Sequence, residues 1–177
     1  MTVSDETRER VASDPYCDYL GIELVELSEG HARTRLAVTD DLLNFHGTPH
    51  GGAVYSLADA AFAAASNSHD ETAVALEVNM SYLDAVETGT TLVADAEETH
   101  RTRRTAEYEV VVRRTGSGGD GGGSGDGSGS GDGSGSGDGS ARDGSVDGNA
   151  GSGSGGGSGG SEDGERVATF RGRVYRP

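Results

Sequence analysis

Ala53–Ser68 reads AVYSLADAAFAAASNS, and in it Val54, Leu57, Ala58, Ala61, Phe62 and Ala65 recur at the spacing of one helix face. Its many alanines add strong helix propensity and leave a slim, smooth cylinder that a sheet can wrap closely. Strand patterns flank it. Upstream, IELVEL (Ile22–Leu27) alternates imperfectly and ARTRLAV (Ala32–Val38) more clearly, with Glu29-Gly30 as the turn of a hairpin. Downstream, Thr72–Leu83, Thr91–His100, Thr105–Arg114 and Arg166–Tyr175 read as four strands, the last rich in β-branched and aromatic residues. Glu6–Ser13 reads as a short polar helix, and PYCDYLG (Pro15–Gly21) as a turn leading into the first strand. Two strands, one long helix and four strands predict an α+β fold: one antiparallel six-stranded sheet curled around a central helix.

Further out, the chain changes material. Of its 31 glycines, 24 fall between Gly116 and Gly164, together with 12 serines and 8 acidic residues. This segment lowers the apolar share of the chain to 32%; without it one ordinary small domain remains, 1–115 with 165–177. Asp126, Asp132 and Asp138 repeat at a six-residue interval, but calcium-binding repeats need an apolar residue in each repeat to build a core, and these have none. The reading for 116–164 is a solvated, disordered insertion in the last hairpin. Lengthening a loop of about 4 residues to that size costs roughly 2 kcal/mol in closure entropy, so the fold tolerates it.

The net charge is -16, and all fourteen basic residues are arginine. Such a surface repels nucleic-acid phosphates and anionic lipid, which excludes both as partners. An acidic, lysine-free surface suits a cytoplasm of molar salt, where screening removes self-repulsion. The single Cys17 excludes an internal disulfide framework, no apolar run approaches a membrane span, and Met1–Ser13 is too charged for a signal peptide. A cytoplasmic protein is the expectation.

Chemistry concentrates in NFHGTPHGGAVYSLAD, Asn44–Asp59. Gly51 and Gly52 stand where the helix begins, so their amides lack intrahelical partners, the dipole favours negative charge there, and no side chain keeps a ligand away. The pair suits an oxyanion hole; it equally suits a plain helix cap beside a tight turn. Asp59 sits two turns further on among Leu57, Ala58, Ala60 and Ala61, where burial would raise its pKa into the range of a nucleophile or general base; the other reading puts it on the solvated side. Asn44 and His50 can orient a water or polarise a carbonyl, or simply satisfy backbone groups. His46, His50 and Asp59 lack the helical spacing of a metal site, because Gly47 and Pro49 intervene. Ser56 has no flanking glycine of a hydrolase elbow, and Cys17 has no base beside it.

The pattern Asn44, His50-Gly51-Gly52, Asp59, with SLADAAFAAASNS in the helix and FRGRVYRP at the end, resembles the hotdog-fold acyl-CoA thioesterases of the PaaI (phenylacetic acid degradation) type. The resemblance covers nearly all of the chain outside the glycine-rich tract, which departs from the short turn the family has there. It implies hydrolysis of acyl-CoA, with no metal and no cofactor, at sites between two subunits of a dimer or tetramer. Gly51 would hold the thioester oxygen, with Gly52 beside it on the substrate, Asn44 and His50 would shape and polarise the site, and the partner's Asp59 would attack or activate water. Ala75 stands where some relatives carry a hydroxyl residue, so a water-orienting role there is absent or moved. Arg101, Arg103 and Arg104 match a basic position and are candidates for the CoA phosphates. Tyr55, Phe62 and Tyr82 are candidates to line an aromatic acyl pocket, or are core. The competing expectations are an acyl-thioester hydratase or dehydratase using His50 with Asp59, and a non-catalytic acyl-CoA-binding protein.

Overall fold

The structure, a computed structural model, describes residues 3–115 and 164–177. The insertion read at 116–164 therefore lies outside the described residues, save Gly164. The described elements are α1 (Asp5–Ala12), α2 (Pro15–Leu20), β1 (Ile22–Ser28), β2 (His31–Ala37), a 3-10 turn (Asp40–Leu42), α3 (Gly51–Ser66), β3 (Val74–Tyr82), β4 (Thr91–Arg101), β5 (Thr105–Thr115) and β6 (Glu165–Tyr175). The strands form one antiparallel sheet in the order β1-β2-β4-β5-β6-β3. β5 and β6 pair out to Arg114 and Glu165, so the glycine-rich tract joins two neighbouring strands.

One expectation needs correction. PYCDYL is a helix, α2, and not a turn. The Asp14 carboxylate accepts the amides of Tyr16 and Cys17 at 2.8 and 3.2 Å, Pro15 occupies a first-turn position whose N–H would have no partner, and Gly21 closes the end with φ 73°.

The sheet wraps α3, whose Leu57, Ala58, Ala61 and Ala65 are completely buried. Phe62 enters the sheet so closely that a Cβ on Gly172 would lie 2.5 Å from its ring, which reserves that position on β6 for glycine. The Phe62 ring then meets Tyr108 and Phe170 with centroids 5.6 and 5.5 Å apart. The imperfect alternation of IELVEL is a β-bulge between Leu24 and Glu26, which leaves Val25 outside the register and exposed. A second bulge on β3, between Ala75 and Glu77, does the same to Leu76. The outer face of the sheet carries alternating charges, with Arg33 on Asp95 (2.5 Å), Arg35 on Glu23 (2.5 Å) and Arg171 on Glu109 (2.9 Å). Among the described residues, no helix is long and apolar enough to cross a membrane.

Candidate active site

The first turn of α3 is assembled by its own sequence. His50 is the N-cap residue, and its Nδ1 accepts the Gly52 amide at 2.8 Å. An accepting Nδ1 leaves the ring proton on Nε2, where it can be donated outward. Gly52 is what allows this: a Cβ there would stand 2.8 Å from Nδ1. With the Gly52 amide taken by His50, the Gly51 amide is left without a hydrogen-bond partner among the described residues. The carbonyl of Gly51 accepts the Tyr82 hydroxyl at 2.9 Å, which ties the end of β3 to the helix start.

Asn44 builds the preceding loop. Its Oδ1 accepts the amides of His46 (2.9 Å) and Thr48 (3.3 Å), and its Nδ2 donates to Thr48 Oγ1 at 2.9 Å. The loop is closed by the Leu43–Pro49 bridge and by the His50 amide on the Leu42 carbonyl at 2.7 Å. Within the chain, then, the Asn44 side chain satisfies backbone and hydroxyl groups of its own loop.

Asp59 is half-buried on α3. Removal from water raises its pKa above the ordinary carboxylate value, and the charge of Asp14 raises it further. Tyr55, one turn earlier, has its phenol pushed up by burial and then by the Asp59 charge. Burial and the carboxylates of Asp14, Asp18 and Asp59 push the Cys17 thiol up to about 11, so it remains a protonated, unreactive group. Eight residues separate Asp59 from Gly51, a rise of about 12 Å along the helix.

The arginines lie elsewhere. Arg101 donates to His69 Nδ1 at 2.6 Å and to Glu71 at 3.3 Å, while His69 Nε2 meets Glu98 at 3.0 Å. These partners follow the C-terminal end of α3, roughly 24 Å of helix from Gly51. Arg103 and Arg104 stand exposed in the β4–β5 turn, and among the described residues their side chains have no partner. One chain therefore brings Asn44, His50, Gly51 and Gly52 together, and holds Asp59 and the arginine cluster apart from them. Phe62 is core, whereas Tyr55 lines a cavity beside the helix start. Of the metal reading, no group of three or more His, Cys, Asp or Glu placed to hold an ion is found among the described residues.

That cavity, of about 470 Å³, is a part of the site that lay outside the sequence reading. It lies between α2, the 3-10 turn and the first turns of α3, and its walls include Tyr16 and Leu20 of α2. The signal was present in the chain: Asp14-Pro15 followed by Gly21 is a cap at each end of a one-and-a-half-turn helix.

A six-stranded antiparallel sheet around one helix, with a free amide at the helix start and a carboxylate of raised pKa further along it, defines a hotdog fold equipped for thioester hydrolysis. The comparisons agree: a model of the Thioesterase superfamily matches residues 46–119, and the chain belongs to that superfamily. It is 37% identical over 100 residues to the acyl-coenzyme A thioesterase PaaI of Escherichia coli, covering 56% of this chain and 71% of the relative. Among solved structures, a point mutant of the phenylacetic acid degradation protein PaaI from Thermus thermophilus superposes with TM-score 0.64 at 30% identity, over 93% of this chain and 100% of that one. The E. coli PaaI protein from the phenylacetic acid degradation operon gives TM-score 0.67 at 25% identity, over 96% and 89% of the two chains.

Proposed function

We propose that this protein is a cytoplasmic enzyme that hydrolyses acyl-CoA thioesters to the free acid and CoA, with aryl-acetyl groups such as phenylacetyl or hydroxyphenylacetyl as the acyl class. The observation that carries the reading is the Gly51 amide, left open because His50 takes the amide of Gly52. The thioester oxygen binds there, and negative charge developing on it is stabilised by the amide and the helix dipole. The Nε2–H of His50 lies on the same first turn and polarises the same carbonyl. Asn44 keeps the loop in shape. Asp59 either attacks the carbonyl carbon, expelling CoA thiolate and leaving a mixed anhydride that water hydrolyses, or takes a proton from a water that attacks the carbonyl, the C–S bond breaking as CoA thiolate leaves. On either route the free acid forms, Asp59 is regenerated as the carboxylate, and the thiolate takes up a proton.

Asp59 and Gly51 of one helix, about 12 Å apart along its axis, cannot serve one carbonyl, so the Asp59 that acts comes from a second copy. The edge strand β3 supports such pairing. Among the described residues it pairs on one side alone, and Val74 and Leu76 on it are 56% and 53% exposed. We take the assembly to be a dimer of this kind, paired again into a tetramer, with 1–115 and 165–177 as the catalytic domain and the 116–164 insertion outside the chemistry. In the assembly Arg103 and Arg104 are free to meet the CoA phosphates, whereas Arg101 is engaged by His69 and Glu71. A hydratase or dehydratase would need His50 paired with Asp59. Nine residues apart along the chain they cannot pair within one copy, so that reading too needs the second copy's Asp59, and the assay below separates the two reactions.

The test is free-thiol release from a panel of aryl-acetyl, short-chain and medium-chain acyl-CoA esters, by the protein and by Asp59→Asn. Hydrolysis is expected to fall by several orders of magnitude in a variant that keeps its fold and assembly. Retention of most of the activity overturns the assignment of Asp59, and an enoyl thioester hydrated without release of CoA overturns the reaction class.

A further inference from the structure

Resting on the thioesterase reading above, we propose that Tyr16 sets the size limit of the acyl group. The cavity beside the helix start opens on His50 and Gly52, so an acyl group whose carbonyl sits at the Gly51 amide extends into it. Its volume of about 470 Å³ is that of a small-molecule site. Carbon dominates its walls: Leu20, Leu42, Leu43, Ala53 and the Tyr55 ring face it. Tyr16 is the large aromatic side chain that α2 contributes to its lining.

Tyr16 is 59% exposed, which for an untethered ring means many rotamers. Here the ring is tethered. Its hydroxyl lies 3.0 Å from Ser56 Oγ, and Ser56 is buried on α3 at 8% exposure. The helix that carries it is fixed at both ends, by Asp14 and by Gly21. Leu20, four residues after Tyr16, lines the same cavity, so α2 presents an i, i+4 pair to it. Tyr16 is thus a wall held by one hydrogen bond across the cavity to the helix that also carries Gly51 and Asp59. Short and compact aryl acyl groups fit behind it; a long straight chain runs into the ring.

A pocket that accepts or rejects one methylene discriminates by about 10- to 200-fold. Turnover is measured as kcat and KM for acetyl-, phenylacetyl-, octanoyl- and dodecanoyl-CoA in the wild type, Tyr16→Ala, Tyr16→Phe and Ser56→Ala. Tyr16→Ala is expected to raise the kcat/KM ratio of dodecanoyl to phenylacetyl ester at least tenfold. Tyr16→Phe and Ser56→Ala keep the wall but loosen it. They should move the ratio the same way by less, and their double variant no further than either single one. A wild-type order of preference in all variants, with unchanged melting curves, overturns the proposal. The thioether analogues of the same esters are bound in parallel by calorimetry. Size-selective binding that Tyr16→Ala abolishes, in a protein that hydrolyses none of the esters, refutes the thioesterase reading and leaves the size limit standing. Binding that Tyr16→Ala does not alter refutes the size limit whatever the turnover.

Discussion

Gly52→Ala separates stability from catalysis at one atom. The new methyl would lie 2.8 Å from His50 Nδ1 and 3.2 Å from Cε1, so the imidazole must swing away. The swing breaks the Gly52 N–H to Nδ1 bond of 2.8 Å, and losing a side-chain N-cap costs about 1 kcal/mol, range roughly 0.5–2. Alanine in place of glycine within a helix returns up to about 1 kcal/mol of propensity. The two nearly cancel, so the melting temperature should move by no more than a few degrees. Catalysis has no such compensation. The variant misplaces the Nε2–H and lets the Gly52 amide compete for the oxyanion, and loss of one such donor costs roughly 10² to 10³ in kcat. The assay is thiol release beside a thermal melt, with His50→Asn as control: asparagine caps as well as any residue but carries no ring. His50→Asn and the double variant should show equal turnover, since no imidazole is left for the methyl to displace. Turnover of Gly52→Ala within twofold of wild type refutes the assignment of His50, as does a double variant much slower than His50→Asn alone.

Other expectations are simpler to check. Asp14→Asn keeps the cap of α2, because asparagine caps as well as aspartate, but removes the charge that adds to burial in raising the Asp59 pKa. In the proposed mechanism Asp59 acts ionised, so the acid limb of the kcat/KM profile should shift to lower pH; a limb that stays in place shows that Asp14 does not tune Asp59. Because the folded-state pKa of Asp59 is raised, ionising it opposes folding: that penalty is absent below the ordinary carboxylate pKa and grows as pH rises to the raised value. Melts of Asp59→Asn against pH should therefore lack this decline, and a profile parallel to wild type would contradict the burial of the carboxyl. Gly172→Ala forces a methyl to within 2.5 Å of the Phe62 ring, with an expected cost of about 1–3 kcal/mol from overpacking. Urea unfolding measures it, and no loss means that Phe62 packs elsewhere.

The central helix was readable because its pattern is local: Leu57, Ala58, Ala61 and Ala65 repeat within a few residues of one another, and all are completely buried. Even the fault in IELVEL proved informative, since the missing alternation at Val25 is the bulge itself. The order of the strands was not readable from spacing. The place of β3 at the edge beside β6, the strand furthest from it along the chain, depends on long-range pairing. The site divides in the same way. Gly51, Gly52 and His50 meet through neighbours in sequence, and their positions at the start of α3 follow from the helix start. Arg101 looked like a free cation among three because its partners His69 and Glu71 lie some thirty residues away. Tyr16 went unnoticed because α2 is too short to show a period, and only its caps mark it.

The hydrogen bond from Tyr82 to the Gly51 carbonyl has a thermodynamic corollary. Tyr82 ends the strand along which a second copy would pair, yet it also holds the residue whose amide is proposed to receive the substrate. Self-association and ligand binding then act on a common hinge. By linkage, whatever factor assembly adds to substrate affinity, substrate must return to the association constant.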